Sequence, residues 1–408
     1  MTPSHGFDSA RLNRIADWMQ SYVDQRKYPG CSVLIRRSGD EVYYHDCGLR
    51  DLESGAPFSR DTVARIYSMT KPVTSVAIMM LAERGLFHMD APVSDFIPSF
   101  KDMQALRPGT TDISQTTPCR APTLRELMTH SSGLSYPFNP GVLPRHMEEQ
   151  KITFRVDEPD LATRVDHLAE LPLAFKPGTK WEYSVGIDVL GRVVEVVSGK
   201  SLDSFFAEEI FAPLGMTETS FDVPESRRGR FAALYTPLAG DPMKINDKGA
   251  GDTLRCVDRP EKSLFHAPSL LSGGGGLCGT IDDYMQFCEM LRRGGELGGN
   301  RLLSPRTVDF MRRNHLPGDI ASMGASSFAE QPMRGMGFGL GGSVVLDPAQ
   351  VGVPGSAGDF AWGGMASTGF WVDYVLDMSV VFFTQLTPSS SYPSRAQLKA
   401  LVHGAIVQ

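Results

Sequence analysis

The sequence lacks any run of apolar residues approaching the ~18 that a membrane span needs, so no membrane partner is expected. Its first residues, Met1-Thr-Pro-Ser-His-Gly-Phe7, carry no apolar core of a secretory leader, and a cytoplasmic location follows as the expectation. Positive charge is not in excess: 40 Lys and Arg stand against 47 Asp and Glu, a formal net charge of -7. Nucleic acid and anionic surfaces are therefore not expected partners. The six cysteines (Cys31, Cys47, Cys119, Cys256, Cys278, Cys288) show no Cys-x-x-Cys spacing and no nearby paired histidine. They read as free, mostly buried thiols of a reducing compartment. None of the nine histidines falls in a His-Glu-x-x-His or comparable pattern, so no catalytic metal is expected. No Gly-x-Ser-x-Gly elbow is present, which argues against a Ser-His-Asp triad on an α/β-hydrolase scaffold. The glycine run Ser272-Gly-Gly-Gly-Gly-Leu277 lacks phosphate-loop spacing and a following Lys-Ser/Thr. It reads as a tight turn where backbones approach closely, and no cofactor is implied.

What is present is an ordinary globular composition, 41% hydrophobic and 21% charged over 408 residues. That length suits two or more domains, or one large core with an inserted lobe. Residues 8–27 read as an amphipathic helix with Leu12, Ile15, Ala16, Met19 and Val23 on one face. Cys31–Ile35 and Glu41–His45 flank the turn Ser38-Gly39-Asp40 as a hairpin. Residues 51–63 and 101–121 read as polar loops. Helices are expected at 123–128 with Thr123 as N-cap, near 160–171, at 186–198, from Ser201 to Phe211, and from Asp282 to Arg292. Residues 222–263 are weakly patterned and read as irregular coverage of a cleft rim. Short strands follow at Leu340–Leu346, Asp359–Trp362, Ser367–Val372 and Met378–Thr384, before a closing helix at 394–407. Strands and a helix at both ends, with helices between, predict an α+β fold. An antiparallel sheet flanked by terminal helices would be built from 1–88 and 282–408, with residues 89–281 as an inserted, mostly helical lobe.

One stretch organises this layout. Val73, Val76, Ala77, Met80 and Leu81 recur at the spacing of a buried helix face, and Gly85 stands where a C-cap glycine would end it. Pro72 is tolerated only in a first helical turn, so the helix begins near Ser68 to Thr70. Ser68 then meets free backbone N–H groups and the positive end of the macrodipole. Lys71, three residues on, lies on the same face and can reach its hydroxyl. A serine hydroxyl needs a base to become a nucleophile, and a lysine partly withdrawn from water can be that base. Tyr183 follows a Pro-Gly turn and precedes a helix, a position suited to sharing the proton work. His130, at the end of a short helix, reads as a hydrogen-bonded structural residue rather than a base.

Ser68-Met-Thr-Lys71, Tyr183-Ser-Val185 and Trp362-Gly-Gly364-Met365, in that order, resemble the three motifs of the serine β-lactamase and penicillin-binding-protein superfamily. The chain is most similar to its family VIII carboxylesterase branch, which looks like class C β-lactamases. Leu127-Met-Thr-His130-Ser-Ser-Gly133-Leu134, the Ser272–Gly276 run and Thr384–Pro393 match as well, so the resemblance spans essentially the whole chain. It implies the superfamily's fold, Ser68 as the acylated nucleophile, Lys71 and Tyr183 as general bases, and the N–H groups of Ser68 and Met365 as the oxyanion hole. Trp362, Gly363, Gly364, Tyr136 and Val185 would line the substrate pocket. Two departures matter. Trp362-Gly363-Gly364 stands where lactamases have Lys-Thr-Gly or His-Thr-Gly, and Val185 stands where Tyr-x-Asn would place an amide. Both make the site more apolar and favour a small neutral ester as the partner molecule. The expected activity is that of a serine carboxylesterase on short- or medium-chain esters. Acyl transfer to an alcohol or amine, amide or β-lactam hydrolysis, and a non-catalytic acyl-binding sensor remain the alternatives.

Overall fold

The computed structural model describes residues 5–239, 241–242 and 253–408. Its centre is an eight-stranded sheet in the order Met336–Phe338, Ser343–Val345, Phe360–Gly363, Gly369–Asp373, Met378–Thr384, Gly30–Arg37, Asp40–Asp51, Ala56–Pro57. Every neighbouring pair is antiparallel. The two ends of the chain meet in mid-sheet, where Val33 pairs with Phe382 and Leu34 with Val381. Period-2 alternation then sends Val33, Ile35, Val380 and Phe382 to one face and Leu34, Val381 and Phe383 to the other. Helices cover both faces, which explains why Cys31–Ile35 reads as a continuous apolar run. Ser9–Asp24 and Ser394–Gly404 pack on the first face, Ile281–Arg292 on the second. In Ser9–Asp24, capped by the Asp8 side chain, the buried stripe is Leu12, Ile15, Met19 and Tyr22; Tyr22 takes the place expected of Val23.

The helix Thr70–Glu83 stands between this sheet and the helical region. The expected apolar face is there, but residues Thr70 through Leu81 are all buried, polar ones included. It is the central helix of the molecule, packed against Gly186–Ser198 and sharing one apolar core with Leu34, Val381 and Phe383 of the sheet. Its two threonines bond to neighbouring backbone: Thr74 Oγ1 donates to Gly273 O at 2.6 Å, and Thr70 Oγ1 accepts from Leu277 N at 3.1 Å. Gly85 follows the last turn at φ 74°, as its C-terminal position requires.

Several expectations change in detail. The strand expected over Leu340–Leu346 is shorter, Ser343–Val345, and a turn joins it to an unread strand, Met336–Phe338, ahead of it. Gly341 (φ +93°) sits so close to the central helix that a Cβ there would lie 2.1 Å from Ser75 Oγ. The loop at 101–121 contains a small hairpin, Gln104–Leu106 with Thr116–Pro118, too short to leave a period-2 signal. The polar stretch 51–63 supplies the sheet's edge strand Ala56–Pro57. The longest helices that go unread in the sequence among the described residues are Val142–Glu149 and Pro305–Met311; each buries only two or three side chains and so leaves little periodicity. The helix expected from Ser201 to Phe211 passes from α (Leu202–Phe206) to π geometry (Ala207–Phe211). In the segment 222–263, a short helix Glu225–Arg228 and a pair of strands, Leu234–Thr236 with Arg255–Asp258, are present; residues 240 and 243–252 lie outside the described residues. All six cysteines are free, with Cys31, Cys278 and Cys288 buried and the other three partly exposed. Among the described residues no helix is long and apolar enough to cross a membrane.

Candidate active site

The start of the central helix is reached through a strained step. Tyr67, immediately before Ser68, has φ +43°, a left-handed conformation that costs a non-glycine residue about 1–3 kcal/mol. Its surroundings impose it. Ile66 N donates to Leu277 O at 3.1 Å, and Tyr284 Oη donates to Met69 O at 2.8 Å. A single 3-10 turn, Tyr67–Met69, then runs into the α-helix at Thr70. Ser68 thus stands at a helix N-terminus, as the placement of Pro72 predicts.

Three sequence-distant side chains converge there. Tyr183 Oη donates to Ser68 Oγ at 2.6 Å, and Lys71 Nζ donates to the same oxygen at 3.3 Å. Lys71 lies beneath the cleft floor, 1% exposed. Its ammonium also donates to Gly274 O at 2.6 Å and to Tyr136 Oη at 3.0 Å, and it faces the Tyr183 and Tyr136 rings, 4.7 Å and 5.3 Å from their centroids.

A buried carboxylate completes the arrangement, and sequence reading misses it. Asp188, in the first turn of Gly186–Ser198, is fully buried. Its Oδ1 accepts from Ser272 Oγ at 2.5 Å and from Gly274 N at 3.0 Å, and its Oδ2 accepts from Tyr136 Oη at 3.5 Å. Burial pushes the Asp188 carboxyl upward, while the Lys71 ammonium and these hydrogen bonds pull it back. Burial beside this carboxylate holds the Tyr136 phenol well above its ordinary range. The available signal was a carboxylate at an inward position of a helix that also turns Ile187, Leu190, Val193 and Val194 inward. The glycine run does what its composition suggests: a Cβ on Gly274 would lie 2.3 Å from Asp188 Oδ2, so only glycine lets the backbone pass between Asp188 and Lys71. Replacing Asp188 by Asn should lower kcat on a serine-hydrolase substrate by about 10- to 100-fold. Steady-state kinetics on the folded variant checks this.

Tyr183 is held by its neighbours on both sides. Glu182 N donates to His130 O at 2.9 Å, Ser184 N donates to His130 Nδ1 at 3.2 Å, and Asn139 Nδ2 donates to Tyr183 O at 2.8 Å. His130 is fully buried at φ +58°. Burial and the Lys71 charge keep its ring neutral, with the pKa well below the ordinary histidine value. It is a structural residue, as its sequence position suggests, and its ring packs 4.7 Å from that of Tyr183.

The third motif closes the other wall. Phe360–Gly363 pairs in the sheet, and the turn after it is pinned by Gly364 N donating to Thr368 O at 3.0 Å. A Cβ on Gly364 would lie 2.3 Å from Ile66 O, so this turn abuts the chain just before Ser68. Met365 follows and, with Ser68, Tyr136, Tyr183, Trp362, Gly363 and Gly364, lines a cleft of about 1000 Å³. Val185 does not reach it. It is the N-cap of Gly186–Ser198 and is fully buried, because the chain turns inward there to enter the helix. Phe328 lines the cleft unannounced by any motif. It stacks on Trp362 with ring centroids 5.8 Å apart and planes at 10°, and lies 4.7 Å from the Tyr183 ring. Phe138 stacks on Tyr136 at 4.8 Å. Ser68 therefore opens onto an aromatic enclosure.

The Beta-lactamase family model matches residues 15–404. Esterase EstB of Burkholderia gladioli is 33% identical over 387 residues, covering 92% of this chain and 90% of that protein. The solved structure of EstCE1, a hydrolase with promiscuous acyltransferase activity, superposes with a TM-score of 0.79 at 28% identity and covers 98% of both chains. Simvastatin synthase (LovD) from Aspergillus terreus superposes equally well, TM-score 0.79 at 26% identity, over 97% of this chain and 98% of its own. The chain belongs to the Beta-lactamase family, as an enzyme of its serine-hydrolase and acyl-transferring kind.

Proposed function

We propose that the protein is a serine carboxylesterase that hydrolyses neutral esters with short or medium acyl chains through an acyl-enzyme on Ser68. The observation that carries this reading is the convergence of Tyr183 Oη at 2.6 Å and Lys71 Nζ at 3.3 Å on one serine oxygen. When the Lys71–Tyr183 pair has given up one proton, it accepts the proton of Ser68 as Oγ attacks the ester carbonyl. The carbonyl oxygen becomes an oxyanion and is received by the N–H groups of Ser68 and Met365. Collapse of this intermediate breaks the C–O bond to the alcohol. Tyr183, poised 2.6 Å from the reacting oxygen, hands the proton to the departing alkoxide. Water then repeats the sequence, with Tyr183 and Lys71 as base, and releases the acid and free Ser68.

Substrate preference follows from the lining. Trp362, Phe328, Tyr136 and Phe138 offer apolar surface, and Arg395, which packs on Gly363, is taken up by Glu330 and backbone carbonyls. The third motif itself thus offers no free cation to a substrate carboxylate, although Arg155, Lys262 and Lys399 also line the cleft. The p-nitrophenyl esters of acetate, butanoate, hexanoate and a dicarboxylic half-ester test this. Neutral butanoate and hexanoate should have kcat/KM at least about tenfold above the half-ester, the cost of desolvating an unpaired charge. An equal or higher rate on the half-ester would overturn the neutral-ester reading.

Acyl transfer is the second reading. A cleft of about 1000 Å³ has room for an acceptor beside the acyl group, and one of the similar structures, EstCE1, is described as a hydrolase with promiscuous acyltransferase activity. Added alcohol that raises p-nitrophenol release and appears as a new ester would support it.

A further inference from the structure

We propose that Arg395 is a positioning residue for the oxyanion hole, holding and polarising the Gly364–Met365 peptide and coupling it through Glu330 to the hairpin that carries Phe328. The proposal rests on the assignment of Met365 N–H as an oxyanion donor. Arg395 lies in the first turn of Ser394–Gly404, the helix on the far face of the sheet, with its side chain only 17% exposed. Its Nη2 donates to Gly364 O at 2.8 Å and to Thr368 O at 2.9 Å, and its Nε donates to Thr368 O at 3.2 Å. The carbonyl of Gly364 and the N–H of Met365 belong to one planar peptide unit. A guanidinium donating to that carbonyl draws electron density toward the oxygen and makes the N–H at the other end a stronger donor. The same contacts fix both ends of the Gly364–Thr368 turn, and so the direction of that N–H.

The glycine at position 363 is the condition for this arrangement. A Cβ there would lie 2.6 Å from Cζ of Arg395 and 2.7 Å from its Nε, so any side chain would displace the guanidinium. The remaining arm, Nη1, donates to Glu330 Oε1 at 2.8 Å. Glu330 is buried, with a side chain 5% exposed, and sits in the turn of the hairpin Ser327–Phe328/Gln331–Pro332. That hairpin lays Phe328 on Trp362. One side chain thus ties the oxyanion turn to the aromatic wall of the acyl pocket. Lysine could supply the charge, but not three directed donors in one plane.

The test uses the intact protein with p-nitrophenyl butanoate and, in parallel, a neutral p-nitrophenyl alkylphosphonate. The phosphonate reacts once with Ser68 and presents the same oxyanion, whatever acyl donor the enzyme takes in nature. Arg395→Met should lower kcat and the phosphonylation rate by the same factor, about 10- to 100-fold, less than outright loss of a donor. KM should stay within about threefold. Arg395→Lys should recover part of that loss. Glu330→Gln frees the hairpin but leaves the carbonyl contacts, so it should raise KM and keep kcat within about threefold. Circular dichroism and melting temperature establish folding. If Arg395→Met does not fold, Arg395→Lys decides, with an expected loss of about fivefold or more in both rates. A folded Arg395 variant with both rates at the wild-type level overturns the proposal. If esters are not turned over above the Ser68→Ala background, the esterase reading fails, and Arg395 is judged on phosphonylation alone.

Discussion

Ser68→Ala should reduce kcat for p-nitrophenyl butanoate by about 10⁴-fold or more, to a rate carried by the oxyanion donors and pocket alone. The loss is large because the two proton-handling groups have no other reacting atom within reach. Tyr183 Oη and Lys71 Nζ both bond to Ser68 Oγ, and removing that oxygen leaves the site intact but without a nucleophile. The fold should barely register the change. Ser68 is only partly buried and contributes no core contact, and its backbone turn is fixed by Ile66, Met69 and Tyr284. Alanine keeps that turn, so the melting temperature should move by no more than about 2 °C. Steady-state kinetics with a thermal melt on the same preparation checks both. Retention of more than a hundredth of the wild-type rate would assign the nucleophile elsewhere.

Tyr183→Phe should lower kcat by about 10³-fold with KM nearly unchanged, within the range that a positioned general acid–base supplies. Only the hydroxyl is lost. The ring keeps its packing against His130, Phe328 and Trp362 at 4.7, 4.7 and 5.6 Å, so the pocket surface seen by the substrate is retained. Lys71 remains in reach of Ser68 and supports residual acylation. Deacylation should suffer as well, because the same hydroxyl would activate water. Rapid-quench kinetics should therefore show both phases slowed. Slowing of one phase alone would give Tyr183 a single role and leave Lys71 the other.

Much of this site is legible in the sequence, for identifiable reasons. Pro72 dates the start of the central helix to within a turn, and the three-residue spacing of Ser68 and Lys71 then dictates their contact. Ser9–Asp24 and Gly186–Ser198 leave clear periodic patterns because each buries a broad face, and Met378–Thr384 leaves an unbroken apolar run because it is buried on both faces. The motif order carries the family. What escapes is carried by single residues in three dimensions. Asp188 acts through a glycine 86 residues away, and Arg395 reaches the oxyanion turn from the opposite face of the sheet. Phe328 is delivered by a hairpin with two residues per strand, too short for any pattern. Val185 shows the reverse limit: its place in a motif suggests the pocket, but the helix entry turns it into the core.

The most direct test of the central claim is the covalent intermediate itself. Tyr183→Phe protein, mixed with p-nitrophenyl butanoate and quenched in acid during turnover, should carry one butanoyl group in place of one hydrogen. Peptide mapping should locate it on the fragment containing Ser68, and Ser68→Ala should carry none. A burst of p-nitrophenol with no acylated protein, or the acyl group on any other residue, would contradict the account.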